Sequence, residues 1–216
     1  MYNIGRRINK KTCIILGAGP SLDDVVDFLA KEKTKKFIIA ANGAITPLIS
    51  KGKLPNLIVT DLDGAFEDLL KANMSGVPLM VHAHGDNMDR IGTLVPRFTN
   101  VIGTTQGIPF GKLHNFGGFT DGDRAFMLAS HFNADPIILG GMDFGDIVTP
   151  YSKPELKSNS KADPIKRKKL QWARRLIEYE VKKRNLRVYN ISQGEKIEGT
   201  MDIKISDLDK ILKSLD

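Results

Sequence analysis

The chain has 216 residues, 41% of them hydrophobic, which is enough for one sizeable core, and no apolar run approaches the roughly 18 residues of a membrane span. A lone cysteine, Cys13, excludes an internal disulfide, and residues 1–12 are polar and basic without the apolar stretch of a secretory leader, so a cytoplasmic protein is expected. The net charge of +7 is concentrated: residues 161–187 hold eleven Lys/Arg against three Asp/Glu, which allows a nucleic-acid binder and fits a basic arm near a phosphate site as well.

The run Cys13-Ile14-Ile15-Leu16 reads as a buried strand, with Cys13 a small buried hydrophobe in it. It leads into Gly17-Ala18-Gly19-Pro20-Ser21, where the glycines permit a tight turn and a close backbone approach to a ligand. A helix over 21–30 follows, with Ser21 as N-cap and Leu22, Val25, Val26 and Leu29 on one face. The free N–H groups at its start suit an anion, making Gly17, Gly19, Pro20 and Ser21 candidate phosphate contacts. A second strand, 37–41, ends in Ala41-Asn42-Gly43. A dinucleotide site would need a third glycine at Leu22 and an acid at this strand end, so NAD is disfavoured. Asn42 remains a nucleotide-contact candidate. No Gly-x-x-x-x-Gly-Lys-Ser/Thr segment occurs, which excludes a P-loop fold.

A third strand, 57–60, delivers Thr60-Asp61-Leu62-Asp63-Gly64. Two carboxylates one residue apart at a strand end repel each other, and a hard cation relieves that repulsion; Mg²⁺ held jointly with substrate phosphates suits them best. A fourth strand, 79–83, ends in His82-Ala83-His84-Gly85-Asp86-Asn87. The His-x-His-x-Asp pattern resembles a dinuclear zinc hydrolase, but such sites need more histidines than the four present here. Asp86 is better read as a third carboxylate for the Mg²⁺ site, with His84 and Asn87 as substrate contacts. A fifth strand, 101–102, is followed by Gly103-Thr104-Thr105-Gln106, whose hydroxyls and amide suit nucleotide recognition.

Asn115-Phe116-Gly117-Gly118-Phe119-Thr120-Asp121-Gly122-Asp123-Arg124 then leads into a helix over 122–133. Phe116 and Phe119 can stack on a flat ring, Thr120 or Asp121 can cap the helix, and Arg124 in its first turn would answer an anion or Asp123. A sixth strand, 136–139, ends in Gly140-Gly141-Met142-Asp143-Phe144-Gly145, another candidate ligand floor. Residues 151–163 read as a mobile polar loop. A basic amphipathic helix spans 164–184, with Leu170, Ala173, Ile177, Val181 and Trp172 as its core stripe, and one or two of Lys166, Arg167, Lys168 and Lys169 could reach a triphosphate. A strand at 187–191 and a short helix at 206–212 complete the chain. Apolar strands separated by helices imply a single-domain α/β fold, a Rossmann-like mostly parallel sheet with helices on both faces and ligands at the carboxyl ends of its strands.

In this order, Gly19-Pro20-Ser21, Thr60-Asp61-Leu62-Asp63-Gly64, His82-Ala83-His84-Gly85-Asp86-Asn87, Gly103-Thr104-Thr105-Gln106, Asn115 to Arg124 and Gly141-Met142-Asp143-Phe144-Gly145 resemble the archaeal 6-hydroxymethyl-7,8-dihydropterin pyrophosphokinases, themselves similar to thiamine pyrophosphokinase. The resemblance implies diphosphate transfer from ATP to the pterin hydroxymethyl group, giving AMP, in folate or methanopterin synthesis. It implies Asp61, Asp63 and Asp86 as Mg²⁺ ligands and Asp121 or Asp123 as the group that orients or deprotonates the hydroxyl. Gly17, Gly19, Pro20, Ser21, Asn42, Thr104, Thr105, Gln106 and Arg124 would contact the nucleotide. His84, Asn87, Asn115, Gly117, Gly118, Phe119, Thr120 and Asp143 would contact the pterin. The expected partners are ATP and a reduced pterin, with no membrane, no nucleic acid, and a homodimer left open. The competing readings are a thiamine pyrophosphokinase-like enzyme and a non-catalytic nucleotide- or sugar-nucleotide-binding module.

Overall fold

The computed structural model describes residues 1–32 and 36–214. Its elements run α1 (Tyr2–Ile8), β1 (Cys13–Leu16), α2 (Leu22–Lys31), β2 (Phe37–Ala41), α3 (Ile45–Ser50), β3 (Leu57–Thr60), α4 (Phe66–Met74), β4 (Leu79–Ala83), α5 (Met88–Leu94) and β5 (Val101–Thr105). They continue through α6 (Asp121–His131), β6 (Ile137–Gly140), β7 (Ile147–Val148), β8 (Ser160–Lys161), α7 (Pro164–Arg184), β9 (Val188–Asn190), β10 (Met201–Asp202) and α8 (Ile205–Ser214). Eight strands form one sheet in the order β10-β9-β6-β1-β2-β3-β4-β5, every pair parallel.

Parallel strands need helical crossovers, and those helices cover both faces, so the inner strands are apolar at every position. Alternate residues serve opposite layers. Cys13, Ile15, Ile39, Val59 and Leu139 pack under α6 and α7. Ile14, Leu16, Ile38, Ile58 and Ile138 face α2, α3, α4 and α8. Phe126 of α6 is fully buried against the first group; truncating a ring of this kind typically costs about 3–5 kcal/mol. No helix among the described residues is long and apolar enough to cross a membrane.

Several boundaries differ from expectation. β5 extends to Thr105, because its pairing with β4 runs on through His82↔Thr104 and Ala83↔Thr105. Helices α1, α3, α4 and α5 emerge from segments with no assigned element. The 151–163 segment is not a free loop: β8 pairs with β7, Tyr151 donates to Asp23 at 2.9 Å, and Lys153 pairs with Asp163 at 2.9 Å. In α7, Ala173, Ile177 and Val181 are buried as expected, but Trp172 is 49% exposed, with Arg175 over its ring.

From β1 the chain builds outward through β2, β3, β4 and β5, then returns across the sheet through α6 to place β6 on the other side of β1. The loops after β1 and β6 therefore leave in opposite directions, opening a crevice at their carboxyl ends, the usual place for a ligand in such sheets.

Candidate active site

A cavity of about 490 Å³ occupies that crevice. The turn after β1 contributes Gly17, Gly19 and Pro20, and the turn after β6 contributes Met142, Asp143 and Phe144. The two turns touch each other: a Cβ on Gly141, at φ +66°, would lie 2.3 Å from the Gly17 carbonyl oxygen, and one on Gly19 would lie 2.1 Å from Asp143 Oδ2. Glycine is thus required here for loop-to-loop approach, a demand separate from any ligand contact. Asp143 is spent on this join. Its Oδ2 accepts from the Ser21 amide (3.1 Å) and hydroxyl (3.0 Å), and its Oδ1 accepts from the Gln193 amide (3.2 Å). Ser21 is therefore buried and held by Asp143, and Asp143 has little accepting capacity left for a pterin edge.

The carboxylate pair sits on the opposite wall. Leu62 adopts a left-handed backbone (φ +68°), uncommon for a branched residue and costing roughly 1–2 kcal/mol, offset by burial of its side chain in the core. The bend brings the Asp63 amide to 3.3 Å from Asp61 Oδ1 and aims both acids into the cavity. Asn42, itself at φ +43°, accepts from the Thr60 hydroxyl at 3.0 Å and donates to Asp63 Oδ1. Partial burial and the neighbouring Asp61 push Asp63 up to about 6. Asn87 clamps this corner: its side-chain amide donates to the carbonyls of Asp61 (2.9 Å) and His82 (2.7 Å), and it accepts from the His84 amide (3.2 Å). His84 Nε2 lies 3.4 Å from Asp61 Oδ2. His82, 3% exposed, lines the cavity, and among the described residues neither ring nitrogen has a hydrogen-bond partner; burial, then Arg124, lower its pKa to about 4 and keep the imidazole neutral.

Asp86 lines the cavity at its exposed rim, and Asp121 is a further acid near the pair. Asp121 opens α6, lines the cavity, and feels Asp61 and Asp63 directly; burial first, then those two charges, push its pKa well above the carboxylate range. Asp123, two residues on, has a structural role. It accepts from the Phe119 amide, the Thr120 amide and the Thr120 hydroxyl, each at 2.6 Å, completing a capping box at the start of α6. Arg124 does not reach the cavity. Its guanidinium is buried and donates to the carbonyls of Gly117 and Gly118, propping a turn in which Gly118 is obligatory: at φ +91° a Cβ would meet the Arg124 backbone at 2.6 Å.

This propped turn presents Phe119, 40% exposed, to the cavity, beside Thr120 and Gln106. Phe116 is committed elsewhere, in a ring cluster with His114, His131 and Phe132. Asn115 donates to the carbonyls of Gln106 and Gly107 and accepts from the Gly117 amide, so it shapes the loop. Thr104 is buried and donates to the Val81 carbonyl, and the Thr105 hydroxyl accepts from the Gly107 amide. Ser152, Lys153, Lys166 and Lys169 close the far wall; the first two lie in the 151–163 segment, where the sequence predicts only a polar loop.

Among the described residues no three acids, cysteines or histidines already form a metal-binding group. A cation here would rest on the Asp61–Asp63 pair and draw its remaining ligands from phosphate and water, as Mg²⁺ commonly does, and the raised Asp63 pKa marks the uncompensated negative charge it would relieve.

The family described as 6-hydroxymethylpterin diphosphokinase MptE-like matches residues 1–149. The chain is 50% identical over 167 residues to a 6-hydroxymethyl-7,8-dihydropterin pyrophosphokinase of Methanothermobacter thermautotrophicus, covering 77% of this chain and 72% of that one. It is 43% identical over 181 residues to the enzyme of the same name from Methanocaldococcus jannaschii, covering 80% and 75%. Among solved structures, the MAf glycosyltransferase from Magnetospirillum magneticum AMB-1 superposes with a TM-score of 0.62 at 17% identity, spanning 96% of this chain but 37% of that longer one, a likeness of fold.

Proposed function

Because the chain belongs to the 6-hydroxymethylpterin diphosphokinase MptE-like family, we propose that its cavity binds Mg-ATP and 6-hydroxymethyl-7,8-dihydropterin and transfers the terminal diphosphate to the pterin hydroxymethyl oxygen, releasing AMP. The observation that carries this reading is the convergence of Asp61, Asp63 and Asp121 at the switch-point crevice, facing Lys166 and beside an exposed aromatic ring, Phe119. Acids and a cation suit a metal-bound polyphosphate, and the ring suits a flat heterocycle.

The residues divide the work. Asp61 and Asp63 would hold Mg²⁺, oriented by Asn42 and Asn87. A metal held there would supply neutralisation of the charge on the phosphate oxygens. The β1 and β6 turns offer backbone to the nucleotide, and Phe119 stacks on the pterin, with His82 and Gln106 as polar contacts at its edge. The pterin hydroxyl oxygen bonds to the β-phosphorus, the bond from that phosphorus to the α–β bridging oxygen breaks, and AMP leaves with the electron pair. The hydroxyl proton passes to Asp121, whose carboxylate is made more basic than an ordinary aspartate by burial and by the neighbouring Asp61 and Asp63. Asp123 is excluded from this task by its three cap hydrogen bonds.

Incubation with Mg²⁺, ATP and the reduced pterin is expected to yield AMP one-for-one with diphosphorylated pterin by chromatography. ADP as product, or thiamine serving equally well as acceptor, would refute the reading. A second expectation concerns protons. Asp63 titrates near 6 without metal, so Mg²⁺ must displace a proton below that pH, and calorimetric Mg²⁺ affinity should weaken by about tenfold per pH unit below 6. Affinity independent of pH between about 5 and 7 would rule out Asp63 as a ligand.

A further inference from the structure

The wall facing the acids is built by the segment beyond the matched residues 1–149, and it contains four cations at the start of α7 with different fates. Arg167 turns away to pair with Asp146 at 2.8 Å. Lys168 is exposed and does not line the cavity. Lys169 lines the cavity but is exposed to solvent. Lys166 is different: it is largely buried, lines the cavity, and among the described residues makes no ion pair. Its ammonium instead donates to the Ser152 hydroxyl at 2.9 Å, while Asp63 and Asp121 act on it electrostatically from across the cavity.

A largely buried ammonium tied to a neutral hydroxyl leaves two donors and most of its charge unspent, facing acids that lie too far across the cavity to pair with it. The surrounding structure holds it there. Asp163 caps α7 through the Lys166 amide at 2.8 Å and pairs with Lys153 at 2.9 Å, fixing the first turn of the helix. Ser152 is fixed in turn: its amide donates to Thr149 Oγ1 at 3.3 Å, and the Thr149 hydroxyl donates to the Ala18 carbonyl at 2.7 Å, tying this wall to the turn after β1. Lys153, already paired with Asp163, is not free for the same task.

Resting on the proposed activity for the identity of its ligand, we infer that Lys166, positioned by Ser152, is the polyphosphate-binding lysine of this site, gripping the nucleotide's phosphates from the side opposite Asp61 and Asp63. The phosphate chain would then lie between a metal-bearing acidic wall and the largely buried ammonium of Lys166, and the hydroxyl of Ser152 keeps that cation from collapsing onto Asp63 or Asp121 when no nucleotide is present.

Calorimetric binding of α,β-methylene-ATP with Mg²⁺ tests this without requiring turnover. Lys166→Gln is expected to weaken binding at least about tenfold, the scale of one lost charge-assisted contact, with Lys166→Met doing the same. Lys166→Arg should restore part of the loss. Ser152→Ala should weaken binding about two- to fivefold, acting through the lysine, and add little in the Lys166→Gln background. Lys168→Gln removes the same net charge outside the cavity and should leave binding unchanged. Equal weakening by Lys168→Gln and Lys166→Gln would reduce the effect to net charge and overturn the assignment, as would wild-type affinity in Lys166→Gln or no measurable binding by the wild type. If binding behaves as expected but no AMP forms with the pterin, the lysine assignment stands and the proposed reaction falls.

Discussion

Asp61→Asn and Asp63→Asn are each expected to lower diphosphate transfer by about a thousandfold or more, near 4 kcal/mol of transition-state stabilisation, while the metal-free protein melts no lower than wild type. The two halves of this expectation share one cause. Asp63 is forced up to about 6 by partial burial and by Asp61, so its charged form is disfavoured in the fold. With the folded pKa above the unfolded value of 3.8, the folded state binds the proton more tightly. The penalty is therefore absent below pH 3.8, develops as pH rises through 6, and is fully present at pH 7. Asparagine removes the charge and keeps the shape. Asp63 is substantially exposed, so solvent screening holds the gain to about 1 kcal/mol, or about 2–4 °C. Calorimetric melting without metal, set beside AMP release with Mg²⁺, reads both. A variant that is both inactive and destabilised would show that these acids serve the fold, and a variant with wild-type turnover would remove them from the chemistry.

What could be read from the chain follows from which interactions are local. Strands buried on both faces are continuous apolar runs, so β1, β2, β3, β4 and β6 were legible to within a residue or so. The acids ending β3 and the glycine turns after β1 and β6 were legible for the same reason, since parallel strands deliver their ends to one rim. The short helices α3 and α5 were not: α3 has six residues and α5 has seven with none fully buried, too little for periodicity to register. Thr104 is a strand residue, paired with His82, because β5 outruns its apolar pair, Val101-Ile102. The place of Asp121 beside the pair is long-range. Asp86 follows β4 closely in sequence and lines the exposed rim of the cavity after Gly85 at φ +96°, whereas Asp121 comes to Asp61 and Asp63 only because α6 crosses back over the sheet. The same holds for Asp143 and Ser21, 122 residues apart and joined by a side-chain hydrogen bond that spacing does not signal.

Asp121 and Asp123 provide the sharpest separation of chemistry from structure, because two acids two residues apart are assigned unlike tasks. Asp121→Asn is expected to lower kcat by about a hundredfold to ten-thousandfold, the usual reach of a positioned base, with the KM for ATP little changed and the melting temperature held or raised, since a carboxylate crowded by Asp61 and Asp63 is lost. In the wild type, kcat should fall as pH drops through the raised pKa of Asp121, because the base must be unprotonated to accept the hydroxyl proton; in Asp121→Asn that limb should vanish. Asp123→Ala should do the reverse. It removes the acceptor of three hydrogen bonds at the α6 cap, a loss of about 2 kcal/mol and about 4–8 °C, while turnover at 25 °C is retained in the folded fraction. Any kinetic change there should appear in the KM for the pterin, because Phe119 is anchored through Asp123. If Asp123→Ala loses kcat as deeply as Asp121→Asn at full stability, or if Asp121→Asn keeps its acid limb, the proton goes elsewhere and the α6 N-terminus is only a scaffold.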